Sequence, residues 1–384
     1  MEREGNPFFN HLLISKCMEV RSIFRNGVVV EMEEYADNGK SIQKHGGDIY
    51  RNQVDIDYSV NTNPLGPPER VLEVLRTRAG QIVHYPDMYC EQLRRKIAEY
   101  ERVSENEILC GNGAAELIYG AVQAVRPRRA LLAVPSFAEY ELALLTVGAK
   151  CDYYDCKEEM GFKIQEDFLE RVTDEMDMVF LCNPGNPTGE TIEKELLIQI
   201  LDRCKKYQVM VILDECFIDF LQDQKEYEMT VYRKRYPNLL IVKAFTKIFC
   251  MPGLRLGYMI GTDQSVLQQI RKILQPWNVS VLAQLCGIEA LTECENYLAD
   301  TKKFLWKEKE KIIEELCEKK FAVYGSKANY IFFRGIEGLY EKALKERMLI
   351  RDCGNYRGLS DGYYRVAVRS QKENERLIAW LRKL

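Results

Sequence analysis

From His45 onward the chain alternates short, unbroken apolar runs with longer amphipathic stretches. The runs are Ala130–Val134, Met178–Cys182, Val209–Leu213, Leu239–Val242 and Leu256–Ile260. Runs this short, mostly bounded by polar or Gly/Pro breakers, predict strands. Because they are apolar on both faces, they predict the middle of a mostly parallel sheet covered by helices such as Glu193–Tyr207. After Gln275–Trp277 the texture changes. A long charged helical region runs to about Lys320, followed by strands at Tyr330–Arg334 and Tyr363–Val368 and a closing helix from Lys372 to Leu384. The expected division is a large sheet domain at 78–275 and a smaller α+β domain combining 45–77 with 276–384. Residues 1–44 are poorly periodic, with one short strand at Gly27–Met32, and form an N-terminal extension with no assigned role.

Composition narrows the class. In 384 residues, a hydrophobic fraction of 46% and a charged fraction of 29% exclude intrinsic disorder. Lys+Arg 54 against Asp+Glu 58 gives a net charge of −4, so neither nucleic acid nor a membrane surface is an expected partner. Any anion must be met by a few placed cations. The 13 cysteines are odd in number, irregularly spaced and without Cys-x-x-Cys, and the histidines are only His11, His45 and His84. That pattern predicts no disulfide framework and no metal site. The cysteines read as small buried hydrophobes in a reducing compartment. No signal-peptide pattern opens the chain and no run reaches the roughly 18 apolar residues of a spanning helix. The expected location is the cytoplasm.

Several strands run straight into unusual polar residues. Cys182 leads into Asn183-Pro184-Gly185-Asn186, Leu213 into Asp214-Glu215, and Val242 into Lys243–Lys247. In open α/β sheets ligands sit beyond the carboxyl ends of the strands, so these positions should converge. Gly111-Asn112-Gly113-Ala114-Ala115-Glu116 precedes an amphipathic helix at Glu116–Val125. Glu116 replaces the third glycine of a dinucleotide fingerprint, which excludes that reading. The small residues leave two alternatives, a plain turn or a helix N-terminus whose amides approach a phosphate. A carboxylate at a strand end needs a cation or a proton-bearing nitrogen, and for Glu215 a structural salt bridge is expected. Lys247 is either a solvated lysine or, beside apolar Ile248–Met251, an amine whose pKa desolvation lowers enough for a Schiff base.

Taken together, Asn183-Pro184-Gly185-Asn186-Pro187-Thr188-Gly189, Asp214-Glu215, Thr246-Lys247 and Arg255 resemble, in order and spacing, the anchors of fold-type I pyridoxal-phosphate enzymes, the class I/II aminotransferases. The likeness covers about His45 to the C-terminus. It is strongest to the branch holding histidinol-phosphate aminotransferases and threonine-phosphate decarboxylases. Decarboxylases are favoured by His45-Gly46-Gly47, Asn61–Gly66, Pro135–Glu141, Ile350–Cys353, Asn355, Gly358-Leu359 and Tyr364–Arg369.

The resemblance implies pyridoxal 5'-phosphate as cofactor, with Lys247 as its Schiff-base residue and proton shuttle. It implies that Asp214 binds the pyridine nitrogen, Asn186 the ring hydroxyl and Phe137 the ring face. Gly113, Ala114, Ala115, Thr246 and Arg255 would cup the phosphate. Tyr85 would reach the phosphate of a neighbouring subunit's cofactor, which implies a homodimer with shared active sites. His45, Asn63, Arg351 and Arg365 fall at substrate positions, the two arginines suiting carboxylate and phosphate. The implied reaction is decarboxylation of threonine phosphate to the aminopropanol phosphate used in cobalamin synthesis. Transamination of histidinol phosphate is the alternative. A non-catalytic regulator with a fused DNA-binding domain is disfavoured, since residues 1–44 hold no helix-turn-helix and Lys247 is present. One departure stands out: Phe217 occupies the place of a tyrosine that meets the ring hydroxyl in the aminotransferase branch. Phe217→Tyr is therefore expected to shift the pH midpoint of the bound cofactor's absorbance; an unmoved midpoint rules out that role for the position.

Overall fold

The computed structural model describes residues 45–384; the expected strand at Gly27–Met32 and the extension 1–44 lie outside them. The strands are β1 (Ile56–Asp57), β2 (Ile108–Gly111), β3 (Arg129–Val134), β4 (Lys150–Asp155), β5 (Met178–Cys182), β6 (Met210–Asp214), β7 (Leu239–Ala244), β8 (Gly257–Ile260), β9 (Ala322–Tyr324), β10 (Tyr330–Arg334), β11 (Met348–Leu349), β12 (Arg351–Asp352) and β13 (Tyr363–Ala367). The helices that matter below are α1 (Glu69–Thr77), α2 (Glu91–Glu101), α3 (Ala114–Val125), α4 (Glu139–Leu145), α5 (Lys194–Lys206), α6 (Val281–Ala290), α7 (Glu295–Glu318) and α8 (Gln371–Leu381).

A seven-stranded sheet in the order β2-β8-β7-β6-β5-β3-β4 forms the large part, and only β8 runs against the rest. The five predicted apolar runs are its inner strands β3 and β5–β8. Their apolar residues are nearly all buried, which is why they carry no alternation. α3 packs against β2, β7 and β8, and α5 against β6. β4, with the sequence Lys-Cys-Asp-Tyr-Tyr-Asp, is a half-exposed edge strand. Its polar content hides it from a search for apolar runs.

The second sheet is antiparallel in the order β12-β13-β10-β9, and β1 pairs in parallel with β11 through Ile56↔Met348 and Asp57↔Leu349. That pairing ties the 45–77 stretch to the C-terminal portion. α7 and α8 pack together, and α7 lies against β9 and β10. α6 touches both α1 and α2. Its Gly287 sits so tightly that an added Cβ would fall 2.5 Å from a Leu256 methyl and 2.9 Å from one of Leu93. The described cysteines are free, and most are buried. No helix among the described residues is long and apolar enough to cross a membrane.

One charge is buried inside the large sheet. Lys243 in β7 is 1% exposed and donates to Glu101 at 2.9 and 3.0 Å and to Glu228 at 3.0 Å, with Glu215 at 3.7 Å. Tyr258 adds a hydroxyl donor to Glu101. Burial pulls the Lys243 amine down, but the surrounding carboxylates more than offset it and hold it well above an ordinary lysine. Burial pushes Glu215 up to about 8, with Lys243 opposing. Glu215 thus has the structural role expected for it. Lys243→Met would leave buried acids without their cation, and chemical denaturation should show a loss of about 3–5 kcal/mol.

Candidate active site at the strand ends

Cys182, Asp214 and Val242 are register partners on β5, β6 and β7, so the three polar continuations leave the sheet side by side. Asp214 is 6% exposed. Its Oδ2 accepts from the Tyr140 hydroxyl at 2.5 Å and its Oδ1 from the Cys216 amide at 2.9 Å. Both bonds fix the orientation of the carboxylate. Tyr140 is itself clamped, stacked on Phe180 with ring centroids 5.0 Å apart.

Lys247 follows β7 in a single helical turn, Phe245–Ile248. Its Nζ lies 5.7 Å from the Phe217 ring centroid and has no hydrogen-bond partner among the described residues. Burial, then the Arg365 guanidinium, lower its pKa to about 8. An amine in that range is substantially neutral and nucleophilic near physiological pH.

The start of α3 supplies the anion cradle. Gly113 has φ +84, and a Cβ there would fall 2.5 Å from an Arg255 guanidinium nitrogen. A Cβ on Gly257 would strike the Ala114 amide at 2.5 Å. Glycine at both places lets the Gly113–Ala115 amides and the Arg255 fork sit close together. Thr246, next to Lys247 in the chain, is buried. An amine, a buried carboxylate and an anion cradle are together the donor set that pyridoxal phosphate requires.

Phe137 packs edge-on against Tyr140 at 5.7 Å and near His45 at 5.9 Å. His45 Nε2 meets Glu139 at 2.9 Å, and Tyr119 donates to the other Glu139 oxygen at 2.7 Å. Asn186 accepts from Arg365, whose other terminal nitrogen donates to the Ser59 carbonyl at 3.0 Å. Arg351 donates to the Asp352 carbonyl at 2.6 Å and Asn355 at 2.8 Å. Arg351 and Arg365 are direct cross-strand partners on β12 and β13, and each is 5% exposed. Two like charges opposed on a buried ladder are unfavourable unless anions join them. The Nε of Arg365 is buried without a partner.

Two expected residues sit differently from the others. Asn63 is buried, its amide donating to the Ile248 carbonyl and Thr301, its oxygen accepting from the Leu65 amide and its own amide N–H bonded to the Lys247 carbonyl. It braces the lysine-bearing turn and its side chain is engaged within the protein. Tyr85 is 80% exposed and lies against Trp277, ring centroids 4.9 Å apart, with exposed apolar Ile82, Val83, Met88 and Tyr89 nearby in the chain. Sequence reasoning missed Tyr140 and Glu139. Tyr140 lies three residues after Phe137, a spacing that places both on one side of a helical turn and could have flagged it.

The profile of the family described as Aminotransferase class I and II matches residues 54–381, and the chain belongs to this family of pyridoxal-phosphate enzymes. It is 38% identical over 331 residues to a threonine-phosphate decarboxylase of Salmonella typhimurium, covering 85% of this chain and 90% of that one. The solved histidinol-phosphate aminotransferase of Clostridium acetobutylicum superposes with TM-score 0.80 at 32% identity, covering 85% of this chain and 98% of that one. An L-threonine-O-3-phosphate decarboxylase from Porphyromonas gingivalis superposes with TM-score 0.75 at 26% identity and the same coverage.

Removing the Arg365 charge should let the Lys247 amine bind its proton more tightly. In cofactor-free protein, the pH dependence of Lys247 acylation, followed by peptide mass, should have a midpoint near 8 that moves upward in Arg365→Gln. A fixed midpoint would assign the whole shift to burial.

Proposed function

We propose that this chain is a pyridoxal-phosphate enzyme that decarboxylates L-threonine O-3-phosphate to aminopropanol phosphate. The observation that carries this reading is the opposed, buried pair Arg351 and Arg365, two guanidinium forks whose geometry suits a substrate with two anionic groups. Arg365 lowers the Lys247 pKa, so it is the guanidinium near the reacting carbon and meets the carboxylate. Arg351 then meets the phosphate, and His45, held by Glu139 near Phe137, is read as lying on the substrate side. The 38% identity to a threonine-phosphate decarboxylase supports the same substrate.

In this reading Gly113, Ala114, Ala115, Thr246 and Arg255 hold the cofactor phosphate, Phe137 covers the ring and Asn186 meets its hydroxyl. Bound there, pyridoxal phosphate supplies an aldehyde for covalent attachment and an electron sink for the pair left at Cα. Asp214, oriented by Tyr140 and the Cys216 amide, keeps a proton on the ring nitrogen. Arg365 orients the carboxylate so that the Cα–carboxylate bond is the one that breaks, releasing CO2. Lys247 Nζ then delivers a proton to Cα, closing the reaction without an external oxidant or reductant. Exposed Tyr85, with exposed apolar neighbours in the chain, is read as reaching a second subunit's phosphate cradle, making the working form a homodimer.

The structural likeness to a histidinol-phosphate aminotransferase supports a second reading, amino-group transfer from histidinol phosphate. Its 2-oxoglutarate co-substrate could engage the same two arginines. The two readings are separated by incubating the holoenzyme with threonine phosphate, and separately with histidinol phosphate plus 2-oxoglutarate, while CO2 and glutamate are followed. CO2 from the first mixture without glutamate from the second is expected, and Lys247→Ala should abolish it. Glutamate without CO2 would select the aminotransferase.

A further inference from the structure

We propose that Arg357 is a positioning residue for the phosphate end of the substrate, acting through Arg351 by latching the loop between β12 and β13 to α4. The inference rests on the reading that Arg351 meets that phosphate.

The loop, residues 353–362, is folded on itself by short turns. The Gly354 amide donates to Asp352 at 2.9 Å, Tyr356 to the Cys353 carbonyl at 3.0 Å and Leu359 to the Tyr356 carbonyl at 3.0 Å. These bonds shape the loop but do not fix its position against the large sheet. Two adjacent side chains supply that link. Tyr356 turns inward and places its ring 5.0 Å from the Arg351 guanidinium. Arg357 turns to α4 and grips Glu141 with two nitrogens, at 2.8 and 3.3 Å. The same guanidinium lies 4.1 Å over the Tyr153 ring on edge strand β4, and the Tyr153 hydroxyl donates to Glu141 at 2.8 Å.

Glu141 is 6% exposed, and Arg357 is its cation partner among the described residues. A buried carboxylate with a bidentate fork and a ring beneath it has one good geometry, so the contact sets distance and angle as well as charge. At Gly358, φ +82, an added Cβ would fall 3.8 Å from a Val134 methyl and 3.9 Å from the Pro135 nitrogen at the end of β3, so the loop passes beside that strand end. That is the segment leading to Phe137. The latch therefore fixes the Arg351 loop relative to the element that carries the ring-covering side chain. Its neighbours on α4 do related work: Glu139 holds His45 and Tyr140 holds Asp214.

Breaking the latch should loosen substrate capture and leave the chemistry intact. In the holoenzyme, Arg357→Met is expected to raise KM for threonine phosphate about tenfold or more while kcat stays within about threefold. Arg357→Lys, which keeps the charge and loses the fork, should recover part of that KM. Arg357→Met alone strands a buried carboxylate, so the double variant Glu141→Gln with Arg357→Met relieves that strain. Its KM should remain raised although its melting temperature recovers. A wild-type KM in the double variant overturns the proposal, as does a fall in kcat that tracks lost melting temperature across the series. Should the wild type release no CO2 but transaminate histidinol phosphate, the decarboxylase reading fails. The same KM comparison on histidinol phosphate, which also carries a phosphate, then decides the latch by the same criteria.

Discussion

Positive charge held close together on one buried ladder is the constraint on which the site is built. Arg351 and Arg365 oppose each other on one ladder, and Arg365 bears on the Lys247 amine. Left to themselves these groups would turn toward water or disperse. They stay because rigid neighbours share the cost. Asn186 and the Ser59 carbonyl take the ends of Arg365, Asn355 and the Asp352 carbonyl take those of Arg351, and Asn63 braces the backbone of Lys247. Strand β13, buried along its length, and most of β10 hold the arginines in place. Such a site is preorganised for an anion: much of the electrostatic work of binding is done when the chain folds.

What was legible in the sequence follows from this. The inner strands could be read because burial on both faces strips them of polar residues. Asp214 and Lys247 could be read because each breaks an apolar run at a strand end. Edge strand β4 could not, since one side faces water and its sequence looks like a loop. Asn63 was associated with the substrate, but a three-way internal amide is a tertiary fact that no single stretch of sequence contains. Likewise the contacts of Tyr140 with Asp214 and of Arg357 with Glu141 span 74 and 216 residues. Hydrophobic periodicity reports faces, and these bonds join faces of different elements.

The division of labour between the two sheets is also physical. The parallel sheet delivers backbone ends and a few fixed side chains to one edge, which suits a group that stays bound. Arg351 and Arg365, proposed to meet the substrate, come from the antiparallel sheet, joined to that edge through α4 and through the β1–β11 pairing. A chain built this way can vary the substrate end without disturbing the catalytic end, which accounts for close structural likeness to relatives with different reactions.

β7 and the turn after it carry two buried amines, Lys243 and Lys247, only four residues apart. An aldehyde entering the site could in principle add to either. Lys243 is held cationic by Glu101, Glu228 and Glu215, so its lone pair is occupied by a proton, while burial and Arg365 leave the lone pair of Lys247 available. On the reading proposed for Lys247, the point of attachment is selected by basicity as well as by reach, and the acid cluster around Lys243 keeps the other amine protonated.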